Sequence, residues 1–400
     1  MWLARATVGC FLLLVAGHGA PAGARPSDAQ ARVEEFEVAG IPVLLRRIEA
    51  NEVIAVKLFI RGGTANLTPR TAGIERFLFA ASERGTEKYA KDLWYARLAS
   101  TGTRVAGAAG YDFSTFSMET VLGSWDEAWD LYTQALLRPT LPPSEVELVR
   151  GQILNSVRQR RDDPDAYMRD LADSLFYQGH PYALNPEGTE AAIADISVDD
   201  LRAWHDRRLT KDNLLLVVVG NVGRGDLESR VEAALGDLPE TGDAGRPVNR
   251  APARSAAVAV VERRLPTNYV RGLFPAPSLG DEEDYAALTA AMEVLSNRLF
   301  EEVRTKRNLT YAVFSGLSAR LSNYGLLYVT AVQPDSALSV MLAEVRKLRD
   351  EPLSEDVLAA AVSVFVTEYY QGLESNEAQA SLLGRFELLG GSWKEAEDFV

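Results

Sequence analysis

Histidine and cysteine are the scarcest reactive residues of this 400-residue chain, and that scarcity excludes most familiar active sites. There are three histidines, His18, His180 and His205, and a single cysteine, Cys10. One thiol allows no internal disulfide and no thiolate metal site. His180 lies in a turn before Pro181, and His205 on a helix between Trp204 and Asp206. Neither has neighbours at metal-ligand spacing, so both read as structural. A G-x-S-x-G elbow, a phosphate-binding P-loop and a G-x-G-x-x-G turn are all missing. Acidic runs such as Asp162-Asp163 and Asp281-Glu282-Glu283 read as solvated surface.

What remains is an acidic chain of ordinary globular composition. Apolar residues make up 47% and charged residues 24%, which suits a soluble protein with room for two or more domains. The formal charge of −14 and pI near 4.9 argue against nucleic acid or an anionic membrane as the main partner.

Residues 1–24 read as a secretory signal peptide. Arg5 supplies the positive start, Val8 to Ala16 the apolar core, and Ala22-Gly23-Ala24 the small-residue cleavage pattern. The expected mature chain is exported to the periplasm, begins near Arg25 and has no membrane span. Strands are expected over 33–38, 41–45, 53–60, 112–122 and 214–220, the last an unbroken apolar run buried on both faces. Helices are expected over 74–82, 91–100, 125–137, 167–176 and 198–208. A further helix runs to about Arg161 from Ser144, with Glu147 completing a capping box.

Residues 240–255, rich in Gly, Pro, Ala and Arg, read as a linker. Beyond it the order of elements begins again. Strands are expected at 256–261, 269–274, 310–317 and 323–332, and helices at 282–306, 336–348 and from Ser354 to about Leu373. Phe116/Met118/Thr120/Leu122 corresponds to Leu326/Tyr328/Thr330/Val332, and Ser144-Glu145 to Ser354-Glu355. That is an internal repeat at an offset near 210 residues, with a second copy that looks short at its C-terminal end. The reading is an α+β chain with a first domain over 25–239 and a second over 256–400.

One stretch carries a recognisable frame: Gly73-Ile-Glu-Arg76-Phe77-Leu78-Phe79-Ala80-Ala-Ser-Glu-Arg-Gly85-Thr86. It resembles the zinc helix of the pitrilysin/insulinase metallopeptidases, whose motif is H-x-x-E-H. Gly73, Phe77, Leu78, Gly85 and Thr86 fit the frame. Arg76, Phe79 and Ala80 stand at the three chemical positions, and Ser156 at the later glutamate ligand. Zinc needs imidazole or carboxylate ligands, and hydrolysis a carboxylate to take the water's proton. All four positions have lost that chemistry together. In the second half, Leu299-Phe300-Glu-Glu-Val-Arg304-Thr-Lys-Arg-Asn-Leu-Thr-Tyr311 resembles the same family's L-F-x-x-[LIV]-R-x-K-x-x-L-x-Y signature.

The resemblance, which covers nearly all of the mature chain, implies two homologous pitrilysin/insulinase-type domains. Each would be a mostly antiparallel sheet with helices packed on one face. It implies a subunit that holds no zinc and pairs with a homologous subunit carrying an intact H-x-x-E-H motif, where the zinc would sit. Arg304 and Tyr311 would then act in trans on a peptide substrate, stabilising its carbonyl oxygen as charge develops. The alternative is a non-enzymatic scaffold or peptide-binding protein of the same fold, with Arg304 capping a helix and Tyr311 filling a strand.

Overall fold

The computed structural model describes residues 32–243, 248–251 and 255–399. The expected signal peptide and parts of the expected linker lie outside them. The first half contributes strands β1 (Val33–Val38), β2 (Ile41–Arg47) and β3 (Val53–Arg61), then helices α1 (Ile74–Ser82) and α2 (Lys91–Thr101). Next come β4 (Arg104–Ala108), β5 (Phe113–Val121), α3 (Trp125–Leu137), α4 (Pro143–Asp162) and α5 (Pro164–Phe176). Helices α6 (Glu190–Asp195) and α7 (Val198–Arg208), strand β6 (Leu214–Gly220) and helix α8 (Arg224–Leu235) follow. The strands form one sheet in the order β1-β2-β6-β3-β5-β4. Only the β2–β6 pairing is parallel.

Every residue of β6 is buried, because it lies between β2 and β3 and both faces are covered. On one face α3 and α8 pack through Leu131, Tyr132, Leu227 and Val231. Leu215, Val217 and Val219 meet Ala380, Leu383 and Trp393 on the other.

The second half runs β7 (Asn268–Pro275), α9 (Glu282–Leu299), a π-helical turn (Phe300–Thr305), β8 (Thr310–Leu317) and β9 (Tyr324–Ala331). Helices α10 (Pro334–Asp350), α11 (Glu355–Gln371), α12 (Asn376–Arg385) and α13 (Glu395–Asp398) complete it. The sheet order β7-β9-β8 repeats β3-β5-β4, so the internal repeat holds in three dimensions. The two halves exchange helices. α12 covers the outer face of the first sheet, where Asn376 donates to the carbonyl oxygen of Val53 at 2.6 Å. α5 in turn packs on the second sheet, with Met168 and Phe176 beside Leu273, Tyr324 and Leu326.

Two expectations fail here. Residues 256–261 form no strand; they are exposed, with Val258 at 91% and Val260 at 82%. Their counterpart β2 is held by β6, and among the described residues the second half has no strand corresponding to β6. The apolar residues Val357, Leu358, Val362 and Val364 of α11 are exposed as well. The capping box at Ser144 is also absent. Pro143, with its fixed φ, starts α4 one residue earlier, and Pro142 takes the cap without a side-chain bond. A true capping box closes α7 instead, where Ser197 and Asp200 exchange hydrogen bonds.

The halves are also bolted through one loop. Arg320, between β8 and β9, enters a pocket of the first half, with its guanidinium 3.6 Å from the Tyr111 ring centre and 3.0 Å from Asp173. Tyr177, Tyr182 and Tyr324 stand around it. The Leu321 N–H donates to Asp112 at 3.2 Å, and the Tyr177 hydroxyl donates to the Ser322 carbonyl. Burial opposes the charge of Arg320, but Asp173 and the tyrosines raise its pKa overall.

Candidate functional site: a filled metal position and a free arginine

Helix α1 begins at Gly73, whose φ of +88° favours glycine. A side chain there would also strike Gly188, 2.6 Å from where its Cβ would lie. The loop at 185–188 is therefore pressed against the start of α1, which delivers Glu187 to Arg76. The Arg76 guanidinium makes a 3.0 Å ion pair with the Glu187 carboxylate and donates to the Glu187 carbonyl at 3.2 Å. Its other nitrogen donates to Ser156 Oγ at 3.0 Å. The structure thus brings together the residues at the first and third ligand positions, bridged by a protein cation. Arg160 extends the network to Asp170 at 2.8 Å and to Glu187 at 3.8 Å.

The other two positions are apolar. Phe79 is buried in the core, its ring 5.6 Å from that of Phe116. β4 crosses directly over it at Gly107, where a Cβ would lie 2.3 Å from Phe79. Ala80, partly buried, packs against the cluster that holds Phe77, Leu78 and Ile153. These residues do not fit zinc: they offer a paired guanidinium, a hydroxyl, a phenyl ring and a methyl. Among the described residues no group of three or more His, Cys, Asp or Glu is placed to hold a metal. One carboxylate does lie on the same helical face a turn further on. Burial pushes Glu83 up to about 7, against the opposing pull of Arg84 and the Gly107 N–H.

The two histidines each hold a backbone carbonyl. His180 Nε2 lies 2.8 Å from the Asn249 oxygen while its Nδ1 accepts the Tyr182 N–H at 3.1 Å. His205 Nε2 lies 2.7 Å from the Leu136 oxygen.

In the second half, α9 loosens into the π-helical turn, where Lys306 N–H reaches the Glu301 carbonyl at 2.9 Å. Asn308, at φ +50°, then reverses the chain. It is held by its N–H bond to the Arg304 carbonyl at 3.0 Å. This turn carries Tyr311 back over Arg304. The Arg304 guanidinium carbon lies 4.9 Å from the Tyr311 ring centre and 4.8 Å from that of Phe300. Tyr311 is 82% exposed. Two neighbouring cations are neutralised: Lys306 and Arg307 bond to Glu302 at 2.7 and 2.5 Å and hold its carboxyl down at about 2. Arg304 has no carboxylate within 4.0 Å among the described residues.

The structure therefore places Arg304 and Tyr311 side by side, apart from Arg76 and Ser156. Phe300, Glu302, Glu187 and Arg320 were not singled out by sequence. Phe300 was visible in the motif four residues before Arg304; Glu187 and Arg320 carry no local signal.

Family models support this frame. Residues 42–190 match the insulinase (peptidase family M16) model, and residues 195–365 match the peptidase M16 inactive domain. Between them they span most of the chain, which belongs to the M16 peptidase family. A relative described as an uncharacterized zinc protease of Mycobacterium leprae (strain TN) is 24% identical over 368 residues, covering 90% of this chain and 82% of the relative. A protein of Helicobacter pylori (strain ATCC 700392 / 26695) called a non-peptidase homolog, YmxG, is 22% identical, covering 92% and 90%. Among solved structures, a peptidase M16 inactive domain from Pseudomonas fluorescens superposes with a TM-score of 0.84 at 19% identity, covering 92% and 90%. The periplasmic protease PqqL from Escherichia coli superposes at 0.72 with 16% identity, covering 94% of this chain and 45% of PqqL. The second half thus matches the domain that this family's models call inactive, and the chain has mixed helices and sheets in two related halves.

Proposed function

We propose that this chain is the zinc-free subunit of an exported, heterodimeric metallopeptidase and supplies Arg304 and Tyr311 in trans. The observation that carries the reading is the state of Arg304. A guanidinium that capped a helix or served the core would be consumed by carbonyls or carboxylates; this one rests on two ring faces, and its N–H edge has no acceptor among the described residues. Tyr311, an exposed residue of β8, adds a phenolic O–H. Fixed donors of this kind stabilise the oxygen of a peptide carbonyl as it becomes tetrahedral, and they gain most where water is excluded.

The partner would be a homologous subunit with an intact H-x-x-E-H motif, and it would hold the zinc. This chain's own contribution is to bind and orient the peptide carbonyl. The test is a peptidase assay with metal analysis, on this protein alone and mixed with a co-encoded homologue carrying that motif. Activity only on mixing, with zinc only in the partner, is the expected result. Absence of association or of activity in the mixture would move the assignment to a scaffold, a reading favoured by the non-peptidase relative.

A further inference from the structure

We infer that Phe300 is the positioning residue for Arg304, an inference that rests on the donor role proposed above for its catalytic consequence. A long, flexible arginine must be held in place before it can act as a preorganised donor. A carboxylate would hold it but would consume the same N–H groups needed by the substrate. An aromatic face attracts the cation through its π-electrons and leaves the planar N–H edge free. Arg304 is held in this second way, 4.8 Å from Phe300 and 4.9 Å from Tyr311. The adjoining Lys306 and Arg307 are held in the first.

Three features make Phe300 more than a bystander. It is 46% exposed, so its ring is open to a neighbour on the surface. It is absent from the core beneath, where Leu299, Val303, Val313 and Val329 pack together. And it opens the π-helical turn that ends at Thr305, a local widening often found at functional sites. Tyr311 cannot do the same work alone, because its ring is 82% exposed and its hydroxyl is itself assigned to the substrate. Phe300 is the fixed face; Tyr311 is the face that also reacts to the peptide.

The experiment uses the full chain and two readouts. The Arg304 Nε–H signal, identified by its loss in Arg304→Lys, is recorded by NMR for the wild type, Phe300→Leu and Phe300→Tyr. Turnover of a reporter peptide is measured for the same proteins mixed with the H-x-x-E-H homologue. The expected result is a ring-shifted Arg304 signal that moves in Phe300→Leu and stays in Phe300→Tyr. In the mixture, kcat should drop about fivefold in Phe300→Leu with KM within twofold, and recover in Phe300→Tyr. An unmoved signal in Phe300→Leu overturns the inference. So does full turnover in Phe300→Leu when Arg304→Ala is impaired. If Arg304→Ala keeps wild-type turnover, the donor role fails, and the NMR signal still decides the positioning.

Discussion

In the first half, an arginine at the old metal position is locked by Glu187 and Ser156, and the neighbouring Phe79 is sealed under Gly107. In the second half, the arginine of the π-helical turn after α9 is laid against two rings, with no carboxylate within 4.0 Å among the described residues. The same side-chain type serves as a structural cation in one half and as an available one in the other. What separates them is the company each keeps: acceptors consume a guanidinium, whereas aromatic faces hold it in reserve. A third arginine, Arg320, has both kinds of neighbour and is buried, which makes it a bolt between the halves.

The sharpest way to break this comparison is at the bolt. Arg320→Ala leaves the buried Asp173 carboxylate with the Tyr111 hydroxyl but without its cation and should cost ~3–5 kcal/mol in urea unfolding. Arg304→Ala, at a half-exposed position, should change stability by no more than ~0.5 kcal/mol. Its effect, and that of Tyr311→Phe, belongs to turnover of the mixed complex, where a loss of about 10²-fold is expected. Equal effects of Arg320→Ala and Arg304→Ala on stability would erase the distinction between them.

Smaller effects are expected around the sealed position. Gly107→Ala forces a methyl onto Phe79, whose Cβ would lie 2.3 Å from it, and should cost ~1–3 kcal/mol in thermal or urea unfolding; because the nearest atom is that Cβ, the cost of Gly107→Ala should shrink in a Phe79→Gly background. Simple additivity would show that the two do not collide. Glu83 gives the smallest effect and a defined sign. Burial raises its folded-state pKa from 4.5 to about 7, so the folded protein binds this proton more tightly than the unfolded chain. Its stabilising contribution is full below about pH 4.5 and is lost as pH rises through about 7. Glu83→Gln should therefore be more stable than wild type by ~1 kcal/mol at pH 8 and nearly equal at pH 4. A difference that grows toward low pH would reverse the assignment.

The sequence made the strands of the first sheet and the frame of α1 legible, because alternation and the unbroken run at β6 are local signals. It also pointed to the segment holding Arg304 and Tyr311. It misjudged 256–261, since strand propensity cannot say whether a partner strand exists, and 256–261 is exposed without one. Ser144 misled because two prolines decide where α4 starts. β4 is five residues long, Arg-Val-Ala-Gly-Ala, and too short to show its period. Glu187 reaches Arg76 across 111 residues, and the tyrosine pocket of Arg320 is assembled from both halves. Such contacts are products of topology.

The exchange of α5 and α12 has a consequence for the order in which the protein is made. The last strand of the first sheet ends at Gly220, but the helix that covers its outer face starts at Asn376. At ribosomal speeds of about 5–20 residues per second, roughly 8–30 seconds separate the two. During that interval Leu44, Phe59, Leu215, Val217 and Val219 form a bare apolar wall on a growing chain. Any factor that shields nascent polypeptides has its longest task there, and a pause in translation between these two points lengthens the hazard in direct proportion.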